Sequence, residues 1–327
     1  PHPAAPDTSY AKPFAKPFAK PFTKTSALQG PSMPRLLPPL AALALLVPAV
    51  TAAAPALAQE RPVQERPGEK PPQKSAPSVG ADTLKPQQPA HQPYLAEGMM
   101  PDTVAILPPP PASHSAAEAA DKAAFNATRA LKGTTRWELA ASDVAEGAPA
   151  ILDNFACVLG TRLDQARVPA LMTLLERARL DIARGTRAPK VHYRRLRPFV
   201  GNEAPICVQR SQQLADSYSY PSGHASQGWA YALIMASLVP EKASAILVRG
   251  RAYGESRVIC GVHWMSDVEA GRTNGAAIVA ALQANATFRA DLERARADLG
   301  KALAGGGPAP DQAACAREET AARMPEL

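Results

Sequence analysis

Val168-Pro-Ala-Leu-Met-Thr-Leu-Leu-Glu-Arg-Ala-Arg-Leu-Asp-Ile182 is the stretch that decides the fold class. Leu171, Leu174, Leu175, Ala178 and Ile182 fall at i, i+3, i+4, i+7 and i+11, which is one face of a helix. Pro169 suits the first turn, and Gly185 is the expected C-terminal stop. Working outward, Pro108 to Pro111 predict an extended segment, and Ser113 or Ser115 a cap for a helix through Ala116–Ala130. Downstream, Ala225 to Leu238 predicts a helix with Trp229, Leu233 and Ala236 on one side and Pro240 just beyond it. Residues 243–256 and 266–284 read the same way, and no alternating run is long enough for a strand. Aromatic residues make up only 5% of the chain, which suits close-packed helices better than a β-sandwich. The expected fold is all-α, a compact helical bundle spanning residues 94–304.

The remaining segments read differently. Met33-Pro34-Arg35, the apolar run Leu36 to Val50 and the small-x-small pattern Ala56-Leu57-Ala58 predict a signal peptide over residues 33–58. The run is broken by Pro38, Pro39 and Pro48 and is shorter than the roughly 20 residues a span needs. No later segment predicts a membrane span, so the expected location is periplasmic or secreted. Residues 1–32 carry Ala-Lys-Pro-Phe three times and read as an extension outside the fold. Residues 59–93, rich in Pro, Gln, Lys and Glu, predict a disordered linker. Residues 305–327 read as a loop-like tail, tied down only through Cys315.

The formal charge of +7 is not an interaction surface. Lys12, Lys16, Lys20, Lys24 and Arg35 against Asp7 account for +4 within residues 1–58, leaving 31 basic against 28 acidic residues. No basic run stands out, so nucleic-acid binding is not expected. The four cysteines, Cys157, Cys207, Cys260 and Cys315, predict two disulfides in an exported chain, although three pairings exist. Cys207–Cys260 is the expected pair, because both lie beside motifs that must converge, leaving Cys157–Cys315. No pair has zinc-site spacing, and no metal site is expected.

Three clusters carry chemistry. In Lys190-Val-His-Tyr-Arg-Arg-Leu-Arg197-Pro198, two cations seven apart share a helical face, with Pro198 ending the helix at Arg197. By itself this also reads as a solvated basic helix end. Tyr220-Pro-Ser-Gly-His224 precedes an apolar helix: Ser222 can cap, Gly223 lets a ligand approach, and the helix N-terminus is an anion site with an imidazole at its mouth. An ordinary capped helix start fits as well. In Ser256-Arg257-Val-Ile-Cys-Gly-Val-His263-Trp-Met-Ser-Asp267, a helical spacing lets Asp267 fix the tautomer of His263 and leave one nitrogen as nucleophile. Arg257 adds a fork matched to phosphate oxygens. A structural His–Asp pair is the bland reading. Together the clusters supply what phosphoryl transfer needs: charge neutralisation, a nucleophile and an acid.

Lys190-x6-Arg197-Pro198, Pro221-Ser-Gly-His224 and Ser256-Arg257-x5-His263-x3-Asp267 resemble the three-part signature of the type 2 phosphatidic acid phosphatase (PAP2) and vanadium haloperoxidase superfamily. Leu107-Pro-Pro-Pro-Pro111, Ser219-Tyr-Pro-Ser-Gly-His224 and Gly254-Glu-Ser-Arg-Val-Ile-Cys-Gly-Val-His-Trp264 look most like its class A bacterial nonspecific acid phosphatases, over residues 94–300. The resemblance implies His263 as a nucleophile forming phosphohistidine, Asp267 as its orienter and His224 as general acid and then base. It implies Lys190, Arg197, Arg257, Ser222 and the Gly223 amide as phosphate holders, with no metal or other cofactor. Ala225 and Ser226 stand where the family is usually Thr-rich, which bears on substrate preference.

The implied substrates are soluble phosphomonoesters: nucleotides, sugar phosphates and aryl phosphates. A vanadium-dependent haloperoxidase using the same oxyanion site is the alternative. A non-catalytic phosphate binder would have lost a motif member, and a lipid phosphatase would carry membrane helices. A homo-oligomer remains open.

Overall fold

The computed structural model describes residues 91–323. The extension at 1–32, the signal peptide at 33–58 and all but the last three residues of the 59–93 linker lie outside the described residues. Among the described residues there are twelve α-helices and no strand. They are α1 (Thr103–Ile106), α2 (Ala116–Thr128), α3 (Thr135–Ser142), α4 (Ala148–Asn154), α5 (Ala156–Leu159), α6 (Pro169–Tyr193), α7 (Gln212–Asp216), α8 (Gly223–Leu238), α9 (Ala243–Ile259), α10 (Met265–Ala284), α11 (Ala286–Ala304) and α12 (Gln312–Arg323). The all-α expectation holds. None of these helices is long and apolar enough to cross a membrane.

The centre is α8, packed between α9 and α10, with α6 and α11 closing the bundle. Small residues set the spacing. A Cβ on Gly271 of α10 would lie 2.7 Å from the Ser222 carbonyl and 2.8 Å from Ala225 Cβ, so only glycine lets α10 seat against the start of α8. The large core joins Leu171, Leu174, Leu175, Ala178 and Ile182 of α6, all buried, to Tyr231, Ile234 and Met235 of α8. Tyr94 is buried edge-on against Phe288, its hydroxyl donating to Asp291 at 2.6 Å.

Three local expectations are corrected. First, α6 does not stop at Gly185 but continues to Tyr193 through Pro189. Proline at 189 removes the N–H that would serve the Gly185 carbonyl, a loss that usually breaks a helix. Thr103 Oγ1 donates to that carbonyl at 2.8 Å, and a Cβ at Gly185 would lie 2.7 Å from the Ile278 Cδ1 methyl. A partner 82 residues away therefore carries the helix past its breaker. Thr103→Val, which keeps the shape and removes the donor, is expected to destabilise the fold by about 1–3 kcal/mol in urea unfolding. An unchanged midpoint would show that the Gly185 carbonyl does not need Thr103.

Second, the helix ends four residues before Arg197. Arg194 takes a left-handed conformation (φ 48°, ψ 35°) and its N–H closes on the Lys190 carbonyl at 3.1 Å. Third, the tail is not a loop. α12 is linked by Cys315 to Cys157, buries Ala321 and Ala322 beside Leu139 and Ala252, and brings Glu318 to Arg249 at 3.1 Å. Cys207 is joined to Cys260, and no cysteine among the described residues is unpaired.

Candidate active site

The end of α6, α7, the start of α8, the end of α9 and the loop before α10 meet around one cavity of about 520 Å³. Lys190, Arg197, Gly223, His224, Arg257 and His263 all line it. Ser222 and Asp267 do not; both lie behind the wall and are fully buried. Ser222 caps α8, its Oγ accepting from the Ala225 N–H at 3.3 Å, while its own N–H donates to the Asp267 carbonyl at 2.9 Å. The N-terminus of the 16-residue α8 thus opens into the cavity at Gly223.

His263 sits at the floor. It precedes α10 rather than lying in it, so its contact with Asp267 is not the helical one predicted from spacing. Asp267 is the third residue of α10, and its Oδ2 folds back to accept from the N–H of the N-cap residue Trp264 at 2.9 Å. The same oxygen lies 3.3 Å from His263 Nδ1 and accepts from the Ser219 hydroxyl. His263 Nε2 faces Arg197 Nη1 at 3.1 Å. Guanidinium groups only donate, so Nε2 holds a lone pair and the ring proton is on Nδ1. Burial, then the charges of Arg197, Lys190 and Arg257, push the His263 pKa well below its ordinary value. Its lone pair faces the cations.

The charges divide into two groups. Arg195 and Arg249 are paired with buried carboxylates: Arg195 with Asp267 at 2.6 Å and Asp121 at 2.7 Å, Arg249 with Asp143 at 2.6 Å. Lys190, Arg197 and Arg257 make no salt bridge with a carboxylate among the described residues. Lys190 donates to the Tyr218 and Ser219 carbonyls, and Arg197 to the Ser217 and Val262 carbonyls at 2.7 and 2.9 Å. Arg257 is buried with its Nε unbonded. Burial, then Arg197, lowers the Lys190 pKa to about 7, and burial lowers that of Arg197 to about 10. Three desolvated cations in one cavity are costly unless an anion joins them. They converge on an oxyanion site.

His224, also at the cavity, is stacked on Tyr253 with ring centroids 5.8 Å apart. Its Nδ1 is 2.8 Å from Glu146 Oε1 and its Nε2 3.1 Å from the Val144 carbonyl. Burial and Arg257 lower its pKa; Glu146 and the Val144 carbonyl oppose them.

The structure adds side chains that the three clusters did not single out. Arg195 counted only as a further basic residue, Ser219 only as part of a matching string, and Asp121 and Glu146 carried no signal at all. All four act through partners distant in the chain.

The signature of the PAP2 superfamily matches residues 171–289. An acid phosphatase of Zymomonas mobilis is 43% identical over 225 residues, 67% of this chain and 83% of its own length. A non-specific acid phosphatase of Providencia stuartii is 37% identical over 64% of this chain and 85% of its own. One from Salmonella typhimurium is 36% identical over 59% and 78%. With its helices arranged around this cavity, the chain belongs to the PAP2 superfamily beside the bacterial non-specific acid phosphatases, and it is a phosphatase.

Proposed function

We propose that this phosphatase is exported and hydrolyses soluble phosphomonoesters through a phosphohistidine at His263, without a metal ion. The observation that carries the reading is the trio of Lys190, Arg197 and Arg257, three cations without carboxylate partners among the described residues, around an imidazole lone pair. The Nε2 lone pair attacks phosphorus in line with the leaving oxygen. As the P–O bond breaks, His224 gives that oxygen a proton. Water then attacks the phosphohistidine, returning its proton to His224 and releasing inorganic phosphate. The three cations and the Gly223 amide hold the equatorial oxygens, whose charge they are placed to neutralise. Ser222 acts by capping α8, and Asp267 by fixing the His263 tautomer.

An acidic optimum follows from the two histidines. His263 must be neutral and His224 protonated, so the working window lies between their pKa values. Lys190 is charged through that window. Val208 and Leu214 line the cavity together with Ser211, Gln213 and Ser217, a mixed apolar and polar surface that suits nucleotides, sugar phosphates and aryl phosphates alike. The signal-peptide reading of residues 33–58 and the two disulfides support a periplasmic or secreted location.

The test is phosphate release from p-nitrophenyl phosphate at acid pH in EDTA. Activity is expected to persist and to be inhibited by vanadate. Loss in EDTA with recovery on adding a divalent metal would overturn the metal-free mechanism. Bromide oxidation dependent on vanadate, with no phosphate release, would replace it by a haloperoxidase.

A further inference from the structure

Asp143-Val-Ala-Glu-Gly147 leaves the end of α3 and is fixed almost residue by residue. Asp143 is fully buried, accepting from Arg249 at 2.6 Å and from the Ser256 hydroxyl at 2.6 Å. The Ala145 carbonyl accepts from the Tyr253 hydroxyl at 3.0 Å. Gly147 turns with φ 91°, and the next N–H, of Ala148, donates to Glu176 at 3.1 Å. Between these anchors stands Glu146, whose side chain is 60% exposed yet reaches His224 Nδ1 at 2.8 Å.

The other imidazole nitrogen faces the Val144 carbonyl of the same loop at 3.1 Å. A carboxylate and a carbonyl only accept, so a ring that satisfies both carries a proton on each nitrogen. We propose that Glu146 is a positioning residue for the phosphatase reaction, accepting from Nδ1–H and so holding His224 as the doubly protonated ring. This rests on the reading of His224 as the general acid. The Nε2 proton, which the Val144 carbonyl accepts at 3.1 Å in the free site, passes to the leaving oxygen as the P–O bond breaks, and the neutral ring then takes one from the attacking water. Glu146 keeps Nδ1–H throughout.

The groups around His224 make the carboxylate decisive. Arg257 is positive and disfavours the imidazolium, as does burial. Lys190 and Arg197 add positive charge to the same cavity, and His263 is neutral there. The Tyr253 phenol stacked on the ring has its pKa raised by burial and is uncharged. Among the described residues Glu146 is the carboxylate that pairs with His224, and its own pKa is lowered by that bond.

Glu146→Gln keeps the size and an acceptor oxygen and removes the charge. The chain has six histidines, so ring-labelled histidine can be titrated by NMR, with the His224 signal assigned by its loss in His224→Asn. The His224 midpoint is expected to fall by about one pH unit, as loss of an adjacent opposite charge predicts. The alkaline limb of kcat/KM should move down by the same amount, with the rate recovering toward wild type as the pH falls. Alkyl phosphates should lose more than p-nitrophenyl phosphate, whose leaving group needs less protonation. Glu146→Ala should move both further, and the exposed side chain keeps folding out of the result. An unmoved NMR midpoint overturns the proposal, whatever the phosphatase mechanism. A midpoint that moves while the kinetic limb stays overturns it too, by removing His224 as the titrating acid. Failure of the phosphohistidine reading shows separately, as undiminished activity of a His263 variant.

Discussion

His263→Ala is expected to lower phosphate release from p-nitrophenyl phosphate by roughly 10⁴-fold or more, the scale on which removal of a nucleophile acts. The expectation rests on the tautomer. Nε2 holds the ring's lone pair and directs it into the cavity beside Arg197 at 3.1 Å, while Nδ1 is committed to Asp267 and Ser219 at 3.3 Å each. The other imidazole of the cavity, His224, has both nitrogens bonded to Glu146 and the Val144 carbonyl. Lys190 lies at the cavity wall, but its ammonium is charged at acid pH and lacks a lone pair. Folding should survive, because Asp267 keeps the Ser219 hydroxyl, the Trp264 N–H and Arg195 when the imidazole goes. The check is twofold. Wild type quenched during turnover of a ³²P-labelled ester should retain acid-labile, alkali-stable label, and His263→Ala should retain none. A variant that keeps its rate, or a label that persists without His263, would move the nucleophile elsewhere.

Much of this was legible in the sequence because the signals are local. The apolar face of α6 is a periodicity within 15 residues, and the cap at Ser222 lies beside the helix it starts. What escaped depends on partners brought close only by folding. Gly185 read as a stop, yet α6 runs on through it and Pro189, with Thr103 serving the carbonyl that Pro189 leaves without a donor. Lys190 and Arg197 share a cavity although one is helical and the other is not. The separation of seven suggested the right association for the wrong geometric reason. Asp267 likewise reaches His263 by folding back over the N-terminus of α10 instead of across a helical turn. The tail read as loop because its helix is short of apolar residues. Its anchors are a disulfide to Cys157 and an ion pair to Arg249, neither visible as periodicity.

Arg195 is the sharpest case of a residue hidden by its neighbours, and its replacement should have the largest effect on stability. Its guanidinium joins Asp267 Oδ1 at 2.6 Å and Asp121 Oδ2 at 2.7 Å, both carboxylates being buried. It also lies over the Trp264 ring at 5.4 Å. Arg195→Ala removes one cation and strands two buried carboxylates, a change that costs about 3–5 kcal/mol. Burial already raises the Asp267 pKa, and Arg195 is the strongest influence holding it down. Without that charge the native state takes up a proton there. A carboxyl whose folded pKa exceeds its unfolded value binds more protons when folded, so stability falls as pH rises above the unfolded value of about 3.9. The deficit in urea unfolding should therefore be greatest near neutrality and shrink toward about pH 4. Activity should fall as well, by roughly 10²–10⁴-fold, because a neutral Asp267 no longer fixes Nδ1–H on His263 or steadies the charge the ring gains in forming phosphohistidine. Arg195→Lys, which restores the charge without the fork, should recover part of both losses. A deficit independent of pH, with normal kcat/KM in the folded fraction, would reduce Arg195 to a packing role and leave Asp267 ionised by Ser219 and the Trp264 amide alone.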